Sequence, residues 1–178
     1  MGSSSLTAED VIRLLDLRPL PMEGGYYRET YRSAEVMAAD ALPERYAMEK
    51  AFSTAIYYLL TPETCSLLHR LPGDEIYHFY MGGPVTMLQL HPDGSSEVIT
   101  LGPDIAAGEH VQAVVPAGAW QGSFLKDGGA FALLGATMAP GFDFSDFTLG
   151  DCAALAAAHP DRAALIARLT PPAGPDIG

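Results

Sequence analysis

The chain is predicted to be all-β, a two-sheet roll or small barrel, and three observations predict it. From Ala51 to Met138 eight short apolar-rich segments follow one another at the spacing of strands. Two glycine turns, HPDGSS with Asp93-Gly94 and KDGG before Ala130, punctuate them and imply antiparallel neighbours at both places. No helix-period segment long enough for a crossover lies between the strands, which disfavours a parallel sheet.

Taken in order, residues 1–6 read as a flexible start, 7–170 as a single domain and 171–178 as a tail. Thr7 and Asp10 form a capping box with Asp in place of the usual Glu. They open a short helix whose apolar face is Val11, Ile12, Leu14 and Leu15. Pro19, Pro21 and the pair Gly24-Gly25 break the chain before a strand over 26–33, where tyrosines and charges alternate on both faces. That pattern suits an interface or pocket wall, or an exposed strand whose tyrosines snorkel. Residues 34–50 are polar and Ala-rich and read as a loop with one helical turn.

The strands follow: AFSTAIYYLL, CSLLHR, EIYHFYM, PVTMLQL, EVITL, HVQAVVP, AWQGSFL and AFALLGATM. After Met138, APGFDFSDF interleaves phenylalanine with Asp143 and Asp146, read as turn and cap residues. Helices over about 149–158 and 162–169, separated by His159-Pro160, are expected to pack outside the roll.

The candidate site is CSLLHRLPGDEIYHFYMGG, where His69, Glu75 and His78 fall within ten residues around a Pro72-Gly73 turn. An imidazole and a carboxylate brought together there can bind a divalent ion, share a proton or hold a polar ligand. Period 2 puts Glu75, Tyr77 and Phe79 on one strand face and His78 on the other.

DEIYHFYMGG, with Glu75 seven positions before Gly82, resembles the first motif of the cupin superfamily, and VVPAGAWQG, with Pro116, Gly118 and Gln121, resembles the second. With PMEGGYYRETY, STAIYYLL and APGFDFSDF in order, the chain is similar to the Cupin 5 branch of RmlC-like cupins, a domain of unknown function, over roughly residues 7–170. The resemblance implies a double-stranded β-helix, the jelly-roll cupin barrel, with short terminal helices and a pocket in the barrel mouth. It also implies a homodimer formed by exchanged N-terminal strands. Cupins serve many chemistries, so the site must decide the function.

In metal-binding cupins two histidines one residue apart, a glutamate and a later histidine hold the ion. Here Leu67 and Gln121 stand where two of those histidines would be. A neutral amide beside one imidazole and one carboxylate makes a poor site, so no tightly held metal is expected. A weak divalent ion at His69, Glu75 and Gln121, which would make the chain a weakly metal-binding cupin oxygenase, is the alternative. Metal-free acid-base work would cast His69 as base, Glu75 as its orienter and Tyr77 as acid, as in an isomerase or epimerase. Gln121, Trp120, Arg70, His78 and Glu23 are the expected ligand-binding residues, with Glu23 reaching a partner's pocket. A lone tryptophan on a barrel strand is more often core than a stacking platform, and Trp120 carries both readings.

Ten Lys plus Arg against 22 Asp plus Glu give a net charge of −12, a field that repels phosphate backbones and anionic lipid. Nucleic acid and membrane are therefore excluded as expected partners, and a small polar or sugar-like ligand is favoured. Cys65 and Cys152 show no paired spacing, no apolar run approaches the roughly 20 residues of a membrane span, and MGSSS lacks the features of a signal peptide. A cytoplasmic protein is expected.

Overall fold

The computed structural model describes residues 6–171. The expected flexible start and tail fall largely on residues 1–5 and 172–178, which lie outside these. Helix α1 (Ala8–Leu14) opens the described chain with the capping box intact, Thr7 receiving the Asp10 amide and Asp10 returning a bond to the Thr7 amide. Four strands follow: β1 (Arg18–Pro19), β2 (Tyr26–Arg32), β3 (Val36–Met37) and β4 (Lys50–Ala51). The eight expected strands are all present, as β5 (Thr54–Leu60), β6 (Cys65–Arg70), β7 (Glu75–Gly82), β8 (Val85–Leu90), β9 (Ser96–Leu101), β10 (Gln112–Val115), β11 (Trp120–Leu125) and β12 (Ala132–Met138). A short β13 (Thr148–Leu149) precedes α2 (Cys152–Ala158) and α3 (Ala163–Arg168).

The strands form two main antiparallel sheets, in the order β1-β2-β5-β12-β7-β10 and β13-β6-β11-β8-β9, with β3-β4 as a separate pair. This is the jelly-roll arrangement, mostly β with three short helices. Asp93-Gly94 closes the β8–β9 hairpin as expected. The KDGG turn does not close one. It carries the chain from β11 in the five-stranded sheet to β12 in the six-stranded sheet, and β12 pairs instead with β5 and β7. A glycine turn permits reversal, but which sheet the next strand joins depends on packing of the whole roll.

Between the sheets lies an apolar core that includes Tyr58, Leu60, Tyr77, Met87, Leu101 and Leu134. Each such side chain stabilises the fold by roughly 1.5–3 kcal/mol relative to exposure. Helix α1 covers the outer face of the six-stranded sheet, setting Val11 against Leu59 and Leu133. Helices α2 and α3 cover the five-stranded sheet, where Leu155, Ile166 and Leu169 meet Leu68, Leu88 and Phe124. With apolar residues filling the sandwich elsewhere, the polar side chains buried between the sheets mark the site.

Candidate functional site

Glu23 is put inside by its neighbours. Two backbone hydrogen bonds close a tight loop, with Leu20 N donating to Gly25 O at 3.0 Å and Gly24 N to Leu20 O at 3.1 Å. Gly24 has φ +98°, and a methyl there would run into the Cys65 carbonyl oxygen. The loop thus lies flat against β6, Leu67 N donates to Glu23 O at 2.9 Å, and the Glu23 side chain turns inward to accept from Ser66 Oγ at 2.8 Å. Glu23 is buried within its own chain, beside a β2 strand that pairs with the same chain's β5.

His69 reaches the same space because β6 is irregular. Against β11, His69 pairs with Gln121 but Ser66 pairs with Ser123, so β6 carries an extra residue opposite Gly122. A Cβ at Gly122 would stand 3.0–3.2 Å from Ser66 O and the Leu68 backbone, which is why the bulge faces a glycine. The extra residue sends both Ser66 and His69 inward, three positions apart, while Leu68 faces the helices. His69 Nδ1 donates to Leu67 O at 2.8 Å, fixing the tautomer, and the ring stacks on Phe147 at 4.8 Å between centroids.

Gln121 is the hub. Its Nε2 lies 2.8 Å from His69 Nε2, 3.0 Å from Glu75 Oε2 and 2.9 Å from Tyr77 Oη. With Nδ1 protonated, His69 Nε2 is an acceptor, and the amide nitrogen supplies the matching hydrogen. The imidazole and the Glu75 carboxyl therefore meet through this amide and not directly, so Glu75 does not orient His69; the Leu67 carbonyl does. Gln121 Oε1 is buried without a partner among the described residues.

Burial pushes Glu75 up to about 8, the charge of Glu23 adds to the rise, and hydrogen bonds from Gln121 and Tyr77 oppose it. At neutral pH this carboxyl is mostly protonated. Burial also holds the Tyr77 and Tyr58 phenols well above their ordinary range, with Glu75 the next cause for Tyr77 and Glu23 for Tyr58. Neither phenol gives up its proton readily.

A cavity of about 210 Å³ opens beside this cluster. Glu23 and Glu75 form its polar end. Leu20, Ile56, Leu71, Ala136 and Met138 with the rings of Tyr27, Phe142 and Phe144 form its walls. Glu29 and Arg32 stand on its lining as a bidentate pair at 3.0 and 2.8 Å. His69, Gln121 and Tyr77 are not among its lining residues; they back the carboxylates from behind.

The cluster thus unites five of the residues singled out in the sequence: Glu23, His69, Glu75, Tyr77 and Gln121. It does not include the other three. Trp120 follows the opposite face from Gln121 and packs on the helix-covered core, with Arg70 over its ring at 4.6 Å. Arg70 alternates with His69 and is exposed. His78 lies on the outer face of β7, stacked on Tyr80 and 3.3 Å from Thr137 Oγ1. The residues that sequence reasoning missed are Ser66, the cavity's apolar wall and Lys50. Lys50 is buried and salt-bridged to Asp146 at 2.7 Å, tying β4 to the turn between Phe144 and Phe147. A lysine placed just before an apolar strand in so acidic a chain was its only signal.

An antiparallel jelly roll with a polar cluster between its sheets defines the class. The chain belongs to the cupin superfamily (DUF985), whose family model matches residues 9–150. It is 34% identical over 134 residues to an uncharacterised protein of Saccharomyces cerevisiae, covering 71% of this chain and 67% of that one. A crystal structure of a protein from Shewanella oneidensis is similar at a TM-score of 0.82 and 35% identity, covering 94% of this chain and 99% of that chain. A hypothetical protein from Leishmania major is similar at 0.82 and 31% identity, covering 93% and 99%. Oxalate decarboxylase of Bacillus subtilis matches at 0.51 and 18% identity over 95% of this chain and 41% of that chain, a likeness of fold alone. Among the described residues no helix is long and apolar enough to cross a membrane.

Proposed function

We propose that the protein is a small-molecule-binding cupin that holds a small polar organic ligand in the interior cavity, with Glu23 and Glu75 as its polar contacts. The observation that carries this reading is the cavity of about 210 Å³ with two buried carboxyl groups at one end and a largely apolar wall elsewhere, the usual make-up of a ligand site. Ligand-detected thermal shift on the purified chain tests it. Compounds that raise the melting temperature of the wild type should lose that effect in Ala136→Phe, which fills the cavity, and equal shifts in both proteins would refute it.

A second reading, an isomerase or epimerase, is favoured by one observation. A carboxyl with its pKa near 8 facing a cavity is poised to take and return a proton near neutral pH. Glu75 suits that role better than His69, whose two ring nitrogens are already engaged by Leu67 and Gln121. Deuterium wash-in next to a carbonyl, lost in Glu75→Gln, would separate an enzyme from a binder.

We read the cluster as unsuited to a catalytic transition metal. The point where ligands would converge is held by the Gln121 amide nitrogen, which donates hydrogen bonds and has no lone pair to give. We also read the protein as a homodimer, supported by Tyr80, Val114 and Tyr31, all about half exposed on the outer face of the six-stranded sheet. Sedimentation equilibrium tests this. The free thiols of Cys65 and Cys152 fit a reducing, cytoplasmic setting.

A further inference from the structure

We propose that the ligand of this cavity is a small organic cation, an amine or ammonium group held by Glu23 and Glu75 with its carbon skeleton against Tyr27, Phe142 and Phe144. The inference rests on the reading of the cavity as a ligand site and goes beyond it by assigning the ligand's charge. Its basis is a pair of buried acids with no basic side chain of their own. Glu23 and Glu75 are each 8% exposed and both line the cavity. Among the described residues no lysine or arginine lies within ion-pair distance of either. Glu23 Oε1 accepts from Ser66 at 2.8 Å, and its Oε2 lies 3.9 Å from His69 Nε2.

The cation on the cavity lining is already committed. Arg32 gives two hydrogen bonds to Glu29 and a third, of 3.1 Å, to Phe142 O. That pair cancels and leaves the two inner carboxyl groups as acids on the lining with no lysine or arginine beside them. An anionic ligand would have to enter beside two acids in a chain of net charge −12, and it would disfavour ionisation of Glu75 further. A cation instead gains two acceptors in a low-dielectric space, and aromatic rings suit its flank. Phe142 and Phe144 are set edge to face, 5.1 Å apart.

Such binding is coupled to protons. The groups that face Glu75 are Glu23 from the N-terminal loop, His69 and Gln121 from the facing sheet, Tyr77 from its own strand, and Arg32 and Glu29 across the cavity. A cation seated there favours the ionised Glu75 carboxyl, so its binding displaces the proton. Affinity for an amine should therefore rise with pH by up to roughly tenfold per unit between about pH 6 and 8.

The test is a methyl-NMR titration of the full chain at about pH 8 with benzylamine, benzyl alcohol and benzoate, three probes of one shape and different charge. The readouts are the Met138 and Ala136 methyl signals in the cavity wall. Benzylamine should bind roughly tenfold or more tighter than benzyl alcohol. That preference should vanish in E23Q/E75Q, whose fold is checked by the same spectra. If the double variant fails to fold, the pH dependence of benzylamine affinity in the wild type decides. Tighter binding at higher pH supports the inference, and a flat profile overturns it. Equal or tighter binding of the alcohol or of benzoate overturns the cation assignment while leaving the cavity as a ligand site. No methyl response to any probe overturns both.

Discussion

Replacing Glu75 by glutamine removes a buried carboxyl whose ionisation the fold penalises. The carboxyl rises from an ordinary 4.5 to about 8, chiefly through burial and then through the charge of Glu23. An acid whose folded pKa lies above its unfolded one binds its proton more tightly when folded. The resulting stability is full below 4.5, is lost as pH climbs, and is gone above about 8. At about 1.4 kcal/mol per pH unit, the loss across that window is at most roughly 5 kcal/mol. Glutamine keeps the shape, offers the same acceptor to Gln121 and does not titrate. The difference between wild type and Glu75→Gln should therefore be small at about pH 5 and grow to several kcal/mol in favour of the variant at about pH 9, roughly 10–20 °C in melting temperature for a domain of this size. The acids with lowered pKa, Asp10, Asp93 and Asp143, contribute stability above 3.8 that is lost only as pH falls through their depressed values, so they are flat across this window. Urea unfolding at five pH values measures it, and subtraction removes every titration the two proteins share. Parallel curves would refute the reasoning, since they would mean that Glu75 is already ionised, or equally hydrated, in the folded protein.

Four further outcomes follow from the same geometry. Gln121→Leu removes the amide whose two hydrogens are shared among His69, Glu75 and Tyr77, and at about 1–3 kcal/mol for each orphaned buried group it should cost several kcal/mol in urea unfolding. A neutral result would show that the amide is dispensable. Gly24→Ala faces both a positive φ and the Cys65 carbonyl; it should cost more than about 1 kcal/mol and release Glu23, seen as a loss of cavity binding alongside the lower denaturation midpoint. Lys50→Met leaves Asp146 buried without its partner, a loss of about 3–5 kcal/mol that Asp146→Leu in the same chain should largely restore. Dialysis against a chelator should leave the melting temperature unchanged, and a drop reversed by a divalent ion would overturn the reading of Gln121 as a hydrogen-bonding hub.

What the sequence disclosed and what it hid divide along a physical line. Strand existence and alternation are local, so period 2 alone put Glu75 and Tyr77 on one face of β7 and His78 on the other; the structure turns the first face inward, against the expectation that His78 would bind ligand. The same rule, applied to β11 and β6, separates Trp120 from Gln121 and Arg70 from His69. Naming both members of each pair as pocket residues ignored an alternation already visible in the sequence. The bulge in β6 is different. Its only trace is Gly122, which sits on another strand and has no meaning until β6 and β11 are paired. The insertion of Glu23 is intermediate, for the double glycine announced a special backbone but not which surface it would press against. The cavity was the least legible feature, because its walls come from β2, β5, β12 and the turn after it, held near one another by contacts as remote in sequence as Lys50 to Asp146.

The bulge in β6 and the inserted Glu23 loop also explain the chemistry of the interior. A regular β6 would direct Leu67 inward where a metal cupin places a histidine; the bulge instead turns Ser66 toward Glu23 and leaves Leu67 to hold the His69 ring through its carbonyl. The inserted loop brings a second carboxyl close enough to raise the first. An imidazole that in a metal site would offer its Nε2 lone pair to an ion here gives it to an amide hydrogen, and the reactive potential of the cluster passes to the carboxyl pair facing the cavity. What such a pair lacks is positive charge, and the cavity beside it is where a ligand would supply it.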